Sequence, residues 1–130
     1  MDVLVDTSVW VDFLRPGSED SSSIETLDRL LENDQAIVTG PVVTELLRGV
    51  RSDSQRGQLQ SLLSSVRSVD VVSEDWASTG ELLAKLQKKG ITLSTIDGLI
   101  ATVANRVGIE VLTSDKHFDH LGVKLFDGGR

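Results

Sequence analysis

Four acids stand where side chains can do chemistry. Asp6 closes the first apolar run, Glu45 and Asp97 lie inside two helical patterns, and Asp115 follows the last strongly apolar strand. Carboxylates set at turns and helix starts of a chain that alternates strand and helix can converge on one hole. Two of them about 4 Å apart repel by roughly 4 kcal/mol at an effective dielectric near 20, so a cluster takes up protons or binds a cation. At neutral pH the cation is the expected outcome, and hard oxygen ligands suit Mg²⁺ or Mn²⁺. The chain has no cysteine, which removes disulfides, thiolate zinc sites and Cys nucleophiles together.

Each acid also has a plainer reading. Asp6 after an apolar strand is a common helix cap, although Ser8 can supply that cap instead. Asp97 in a helix's first turn is favoured by the dipole by about 0.3 to 1 kcal/mol. Glu45, one residue off its apolar stripe, fits a surface position, and Asp115 fits a turn that bonds its own backbone. Yet Asp97 shares its face with Ala101 and Ala104, small residues that leave space for approach, and the joint pattern points to a site.

Other chemistry-bearing residues weigh less. Arg48 and Arg51, one helical turn apart beyond Glu45, can meet a phosphate or an acidic partner segment, with a solvated face as the plainer reading. His117 and His120, flanked by Asp115 and Asp119, have the spacing of helical zinc ligands, a minor alternative. Trp10 and Trp76 read as core, and Lys85, Lys88 and Lys89 as a helix terminus. No glycine-rich phosphate loop, nucleophile elbow or metalloprotease signature is present.

The elements that must position these residues alternate. Val3 to Val5 is a strand, and Val9 to Leu14 a short helix before a Pro16-Gly17 break. Ser22 and Glu25 make a capping box for a helix with Ile24, Leu27, Leu30 and Leu31 on one face, ending near Asn33. Ala36 to Thr39 is the second strand, and Pro41 opens a helix carrying Val42, Val43, Leu46, Leu47 and Val50. Residues 54 to 66 form a helix on Leu59, Leu62, Leu63 and Val66, and Val69 to Val72 a third strand. Ser73 caps the next helix, closed by Lys88, Lys89 and Gly90. The clearest helix places Ile96, Leu99, Ile100, Val103 and Val107 on one stripe, with Gly108 as terminator. Glu110 to Thr113 is the fourth strand, Ser114 to Leu121 a tight loop or single helical turn, and Val123 to Phe126 an edge strand.

This order implies an α/β fold: a mostly parallel central sheet of four to five strands, with helices on both faces. Ligands of such sheets bind beyond the carboxyl ends of the strands, where Asp6, Asp97 and Asp115 can all reach. At 130 residues the chain fits one domain, residues 1–130, able to bury about two thirds of its unfolded surface. With 39% hydrophobic residues and two prolines it is globular in composition. The first residues lack the basic and long apolar segments of a secretory signal, and no run approaches 18 apolar residues, so a soluble cytoplasmic protein without a membrane span is expected. Thirteen Lys and Arg against 20 Asp and Glu leave a formal charge of −7, which argues against broad nonspecific affinity for nucleic acid. A nuclease stays open, because two divalent ions would offset four negative charges and local arginines could supply substrate contacts.

Four segments carry a family resemblance: Val3-Leu4-Val5-Asp6-Thr7-Ser8-Val9-Trp10-Val11-Asp12-Phe13-Leu14, Thr44-Glu45-Leu46-Leu47-Arg48-Gly49, Asp97-Gly98-Leu99-Ile100-Ala101, and Leu112-Thr113-Ser114-Asp115-Lys116-His117-Phe118. In this order and spanning nearly the whole chain, they resemble the PIN-domain ribonucleases, specifically the VapC-type toxins of bacterial toxin–antitoxin pairs. The resemblance implies that Asp6, Glu45, Asp97 and Asp115 hold Mg²⁺ or Mn²⁺, with Thr7, Ser8 and Thr113 as hydroxyl supports. It implies cleavage of RNA phosphodiesters by metal-activated water, a homodimer, and a small VapB-like antitoxin that blocks the acidic site, often through an arginine. Arg48, Arg51 and His117 are then contacts for substrate or antitoxin. Many relatives carry a further acid where this chain has His117, which leaves open whether one metal is held or two; Asp119 matches the motif poorly. Transfer RNA as substrate is an expectation of the resemblance alone.

Three other readings compete. Asp6-Thr7-Ser8 faintly resembles haloacid dehalogenase-type phosphatases, but Ser8 stands where they place a second aspartate. A receiver-like module needs an acid ending a central strand, and residues 36 to 40 offer none. A PIN domain that binds RNA without turnover is the third. No aromatic stacking platform that would read bases stands out.

Overall fold

Val3, Leu4 and Val5 have no exposed surface, which places the first apolar run at the centre of the sheet. In the computed structural model, which describes residues 1–15 and 22–128, β1 (Val3–Val5) lies between β2 (Ala36–Thr39) and β4 (Glu110–Leu112). Outside β2 runs β3 (Arg67–Val69), giving the order β3-β2-β1-β4. All pairs are parallel, with Val3 opposite Ala36 and Glu110, Val5 opposite Leu112, and Ile37 opposite Arg67. The inner strands are apolar without alternation because both their faces are covered.

The connections are α1 (Thr7–Leu14), α2 (Ser22–Glu32), α3 (Gly40–Gly49), α4 (Asp53–Ser64), α5 (Ser73–Lys88) and α6 (Thr95–Val107), followed by a 3₁₀ helix at Lys116–His120. Helices α1 to α4 pack on one another, and α5 packs on α6. Right-handed crossovers account for this: the chain steps from β1 to β3 in one direction and returns past β1 to β4, so the last two helices cover the opposite face. The order reverses between β1 and β4, where open parallel sheets leave a crevice.

Several expected boundaries move, each for a local reason. The cap of α1 is Asp6, whose carboxylate accepts from Ser8 N, so Ser8 lies inside the helix. Among the described residues α2 runs from Ser22, so Ser22 lies within the helix, and the Pro16-Gly17 break lies outside the described residues. The third strand sits two residues earlier than Val69–Val72, because Val72 N donates to Asp75 Oδ2 at 2.8 Å and is drawn into the start of α5. Val72, and not Ser73, is therefore the N-cap. The edge strand expected at Val123–Phe126 is a single parallel bridge, Val111 to Leu125. Ser94 and Gly108 bound α6 as its pattern requires, Gly108 in the left-handed region at φ 75°.

Trp10 is fully buried, its ring edge-on to Phe13 at 6.5 Å between centroids. Trp76 is not core: it is 56% exposed. A two-pronged ion pair holds the start of α5 to the end of α6, with Arg106 Nε 2.8 Å from Asp75 Oδ1 and Nη2 3.0 Å from Asp75 Oδ2. Arg106 keeps the Asp75 carboxyl below the usual carboxylate range, which tells that the pair is charged and charge-assisted.

Candidate active site

Asp6 follows the last residue of β1 and is only 2% exposed. Its Oδ2 accepts from Ser8 Oγ at 2.7 Å and from Thr113 Oγ1 at 2.8 Å, besides the longer bond from Ser8 N at 3.4 Å. Burial raises its pKa and these hydrogen bonds oppose the rise. A carboxylate pinned this way suits a fixed ligand or charge, not a nucleophile that must reach a phosphorus, so the phosphatase reading finds no support.

Thr113, immediately after β4, uses the same hydroxyl to accept from Asp115 N at 3.0 Å, and Ser114 N donates to Ser8 Oγ at 3.2 Å. The ends of the two central strands are thus tied by hydroxyls, with an acid beside each. Asp115 caps the 3₁₀ helix by accepting from His117 N at 2.9 Å, and its Oδ1 lies 3.1 Å from His117 Nδ1. Glu45, on α3, accepts from Thr7 Oγ1 at 2.7 Å, which joins that helix to the start of α1. All three hydroxyl residues expected as supports, Thr7, Ser8 and Thr113, therefore bond to acids of the cluster or to their backbone.

Asp97 sits in the first turn of α6, where its N–H donates to Ser94 Oγ at 3.1 Å. Its pKa is pushed up to about 6, first by burial, then by the charge of Asp6, with Asp115 and Glu45 adding to the rise and Ser94 opposing it. Each of the other three acids acts on Asp97, so residues from β1, α3, α6 and the β4 loop face one space. Within that space Asp97, Asp115 and His117 each offer a ligand atom within 4.8 Å of the others. Asp6 and Glu45 stand outside this tightest group. Mutually repelling carboxylates with convergent oxygens fit a divalent cation, with a nitrogen available from His117.

His117 is thus placed more centrally than a peripheral contact, while His120 does not join it, and the zinc reading built on both histidines loses half its ligands. Arg48 and Arg51 fall on different sides of Glu45. Arg51 lines a cavity of about 530 Å³ with Val11, Leu14, Glu45 and Leu59. Arg48 lines another of about 370 Å³ with Pro41, Thr44, Glu45, Trp76 and Ile96. Trp76 is the residue that sequence reasoning missed. Its signal was faint: α5 buries Asp75, Thr79 and Leu86, and Trp76 lies one position round from that stripe.

A parallel sheet of order β3-β2-β1-β4, with acids gathered beyond the carboxyl ends of β1 and β4, defines an α/β domain built around an acidic crevice. The sequence model of the PIN domain matches residues 3–124. The chain belongs to the PIN domain family. Among curated proteins it is similar to the ribonuclease VapC11 of Mycobacterium tuberculosis, 29% identical over 121 residues that cover 90% of this chain and 89% of that protein. Among solved structures it is similar to FitAcB from Neisseria gonorrhoeae, with a TM-score of 0.78, 24% identity and 97% of each chain covered. It is also similar to VapBC2 from Rickettsia felis bound to a promoter DNA fragment, with a TM-score of 0.74, 24% identity and 96% of each chain covered. At these identities the two structures speak to the fold, which is the one expected from the alternation of strands and helices.

Proposed function

We propose that this chain is a Mg²⁺- or Mn²⁺-dependent endoribonuclease of the VapC type, the toxin of a type II toxin–antitoxin pair. The observation that carries the reading is the convergence of Asp97, Asp115 and His117, each offering a ligand atom within 4.8 Å of the others, with Asp6 and Glu45 near enough to help raise the Asp97 carboxyl. Membership of the PIN domain family and a relative named as a ribonuclease support the choice of reaction.

Asp97 and Asp115, with Asp6 and Glu45 alongside, would hold a divalent ion, which when bound would supply charge neutralisation at the phosphate and lower the pKa of water. The residues of the chain hold and orient. Ser8 and Thr113 fix the Asp6 carboxylate, Thr7 fixes Glu45, and the Thr113 hydroxyl also sets the Asp115 backbone. Water attacks phosphorus in line and gives up a proton as its P–O bond forms, the P–O3′ bond breaks and the departing O3′ takes up a proton, so the products carry a 5′-phosphate and a 3′-hydroxyl. RNA is the substrate class, and transfer RNA is one candidate within it to test.

The cavity beside Arg51, bordered by the exposed apolar residues Val11 and Leu14, suits a short segment of a small VapB-like antitoxin that reaches Glu45 from that side. A homodimer acting in the cytoplasm completes the reading; among the described residues no helix is long and apolar enough to cross a membrane. The test is incubation of purified, antitoxin-free protein with total RNA and Mn²⁺, beside an EDTA control. Discrete fragments with 5′-phosphates that vanish in EDTA are expected, and intact RNA under every condition overturns the proposal.

A further inference from the structure

Trp76 is the one aromatic side chain among the exposed large apolar residues of the described chain. It stands in the first turn of α5, beside a cavity whose other wall is one face of α3: Pro41, Thr44, Glu45 and Arg48 follow one another at helical spacing. Ile96, the neighbour of Asp97 in the chain, closes the third side. Glu45 therefore borders both the acidic crevice and this cavity.

The surroundings of the indole decide what it fits. Pro41 and Ile96 add apolar surface to a cavity that also holds a threonine, a carboxylate and a guanidinium, and an aromatic face sharing one groove with a positive charge is what a single-stranded nucleotide requires. Bases stack on aromatic faces irrespective of sequence, and a nearby cation meets the adjoining phosphate. Arg48 is placed for that role on a protein whose overall charge repels RNA.

We propose that Trp76 is a base-stacking platform for single-stranded RNA, seating the nucleotide next to the scissile phosphate, with Arg48 meeting the phosphate between them. The proposal rests on the ribonuclease reading and deepens it. Trp76 is a binding residue that sets the register of RNA across the acids, and it takes no part in bond breaking.

The test is fluorescence anisotropy with a labelled mixed-sequence single-stranded RNA of about 12 nucleotides, in an Asp97→Asn background with Mn²⁺ so that the probe stays intact. Trp76→Ala should weaken binding by roughly 5- to 100-fold, Trp76→Phe should restore most of it, and an abasic ribose-phosphate probe should bind all three proteins alike. Sedimentation is run in parallel. Equal affinity of Trp76→Ala and its parent overturns the stacking role alone, as does a loss of affinity accompanied by a change in oligomeric state, which makes Trp76 an interface residue. RNA that binds none of the proteins, and is not cleaved by the wild-type chain, overturns the ribonuclease reading as well.

Discussion

Thr113 donates its hydroxyl to Asp6 Oδ2 at 2.8 Å across 107 positions of sequence, and both residues are only 2% exposed. The same oxygen accepts from Asp115 N at 3.0 Å, so one hydroxyl orients an acid at the end of β1 and the loop that carries an acid after β4. The crevice is held together from within, at the point where the sheet order reverses.

Thr113→Val keeps the shape and removes that hydroxyl. Asp6 is left buried with one partner fewer, a loss of about 1 to 3 kcal/mol in stability. RNA cleavage should fall by roughly 10- to 100-fold, the usual effect of losing the partner that orients a ligand. Thr113→Ser restores the donor and should recover most of the activity. Full activity in Thr113→Val shows that Asp6 needs no such support.

Asp97 makes a prediction about the metal-free protein. Its folded pKa of about 6 lies above the 3.8 of an ordinary aspartate, so its contribution to stability is fully present below pH 3.8 and is lost as pH rises through 6. The EDTA-treated chain is therefore weakened at neutral pH by its own site. Asp97→Asn, which cannot ionise, should raise the melting temperature in EDTA at pH 7.5 by several degrees and leave it unchanged at pH 4. Added Mn²⁺ should stabilise the wild type more at pH 7.5 than at pH 5, where protons compete for the carboxylate. A variant no more stable than wild type at pH 7.5 contradicts the clustering of the four acids.

Gly98 sets how closely α6 approaches α5. A Cβ there meets Thr79 Cγ2 at 2.9 Å and the Leu83 methyls at 3.2 and 3.3 Å, and Thr79 cannot easily yield because it is buried and bonded to Thr102 Oγ1 at 2.9 Å. Gly98→Ala gains up to about 1 kcal/mol of helix propensity but incurs about 1 to 3 kcal/mol of overpacking, for a net loss near 1 kcal/mol. Because Asp97 is the preceding residue, cleavage should drop more than stability does. Thermal melting and initial rates measured on the same preparation check this, and an unchanged rate contradicts it.

Much of this was legible in the sequence because strand and helix signals agreed with one another. The uninterrupted apolar run Val3–Val5 could only be an inner strand, and the stripe from Ile96 to Val107 fits nothing but a helix that buries Ile100, Val103 and Ala104. What escaped depends on contacts far apart in sequence. Asp75 draws Val72 into a cap, which no propensity of Val69–Val72 announces. The indole of Trp76 lies outside the core because α5 turns its neighbouring positions toward α6, and a rule that places large aromatics inside misreads it. His117 joins Asp97 and Asp115 because the Asp115 cap curls the next residues into a 3₁₀ turn, a geometry that spacing alone leaves open.

The central claim, that these acids work as one metal-dependent nuclease site, is tested most directly by cleavage rates of the same RNA by wild-type and Asp97→Asn protein at saturating Mn²⁺, with circular dichroism confirming that both are folded. The account predicts a loss of roughly a hundred- to a thousandfold in the variant, the range seen when a charge-stabilising group of a transition state is removed. Undiminished cleavage by a folded Asp97→Asn protein would contradict it.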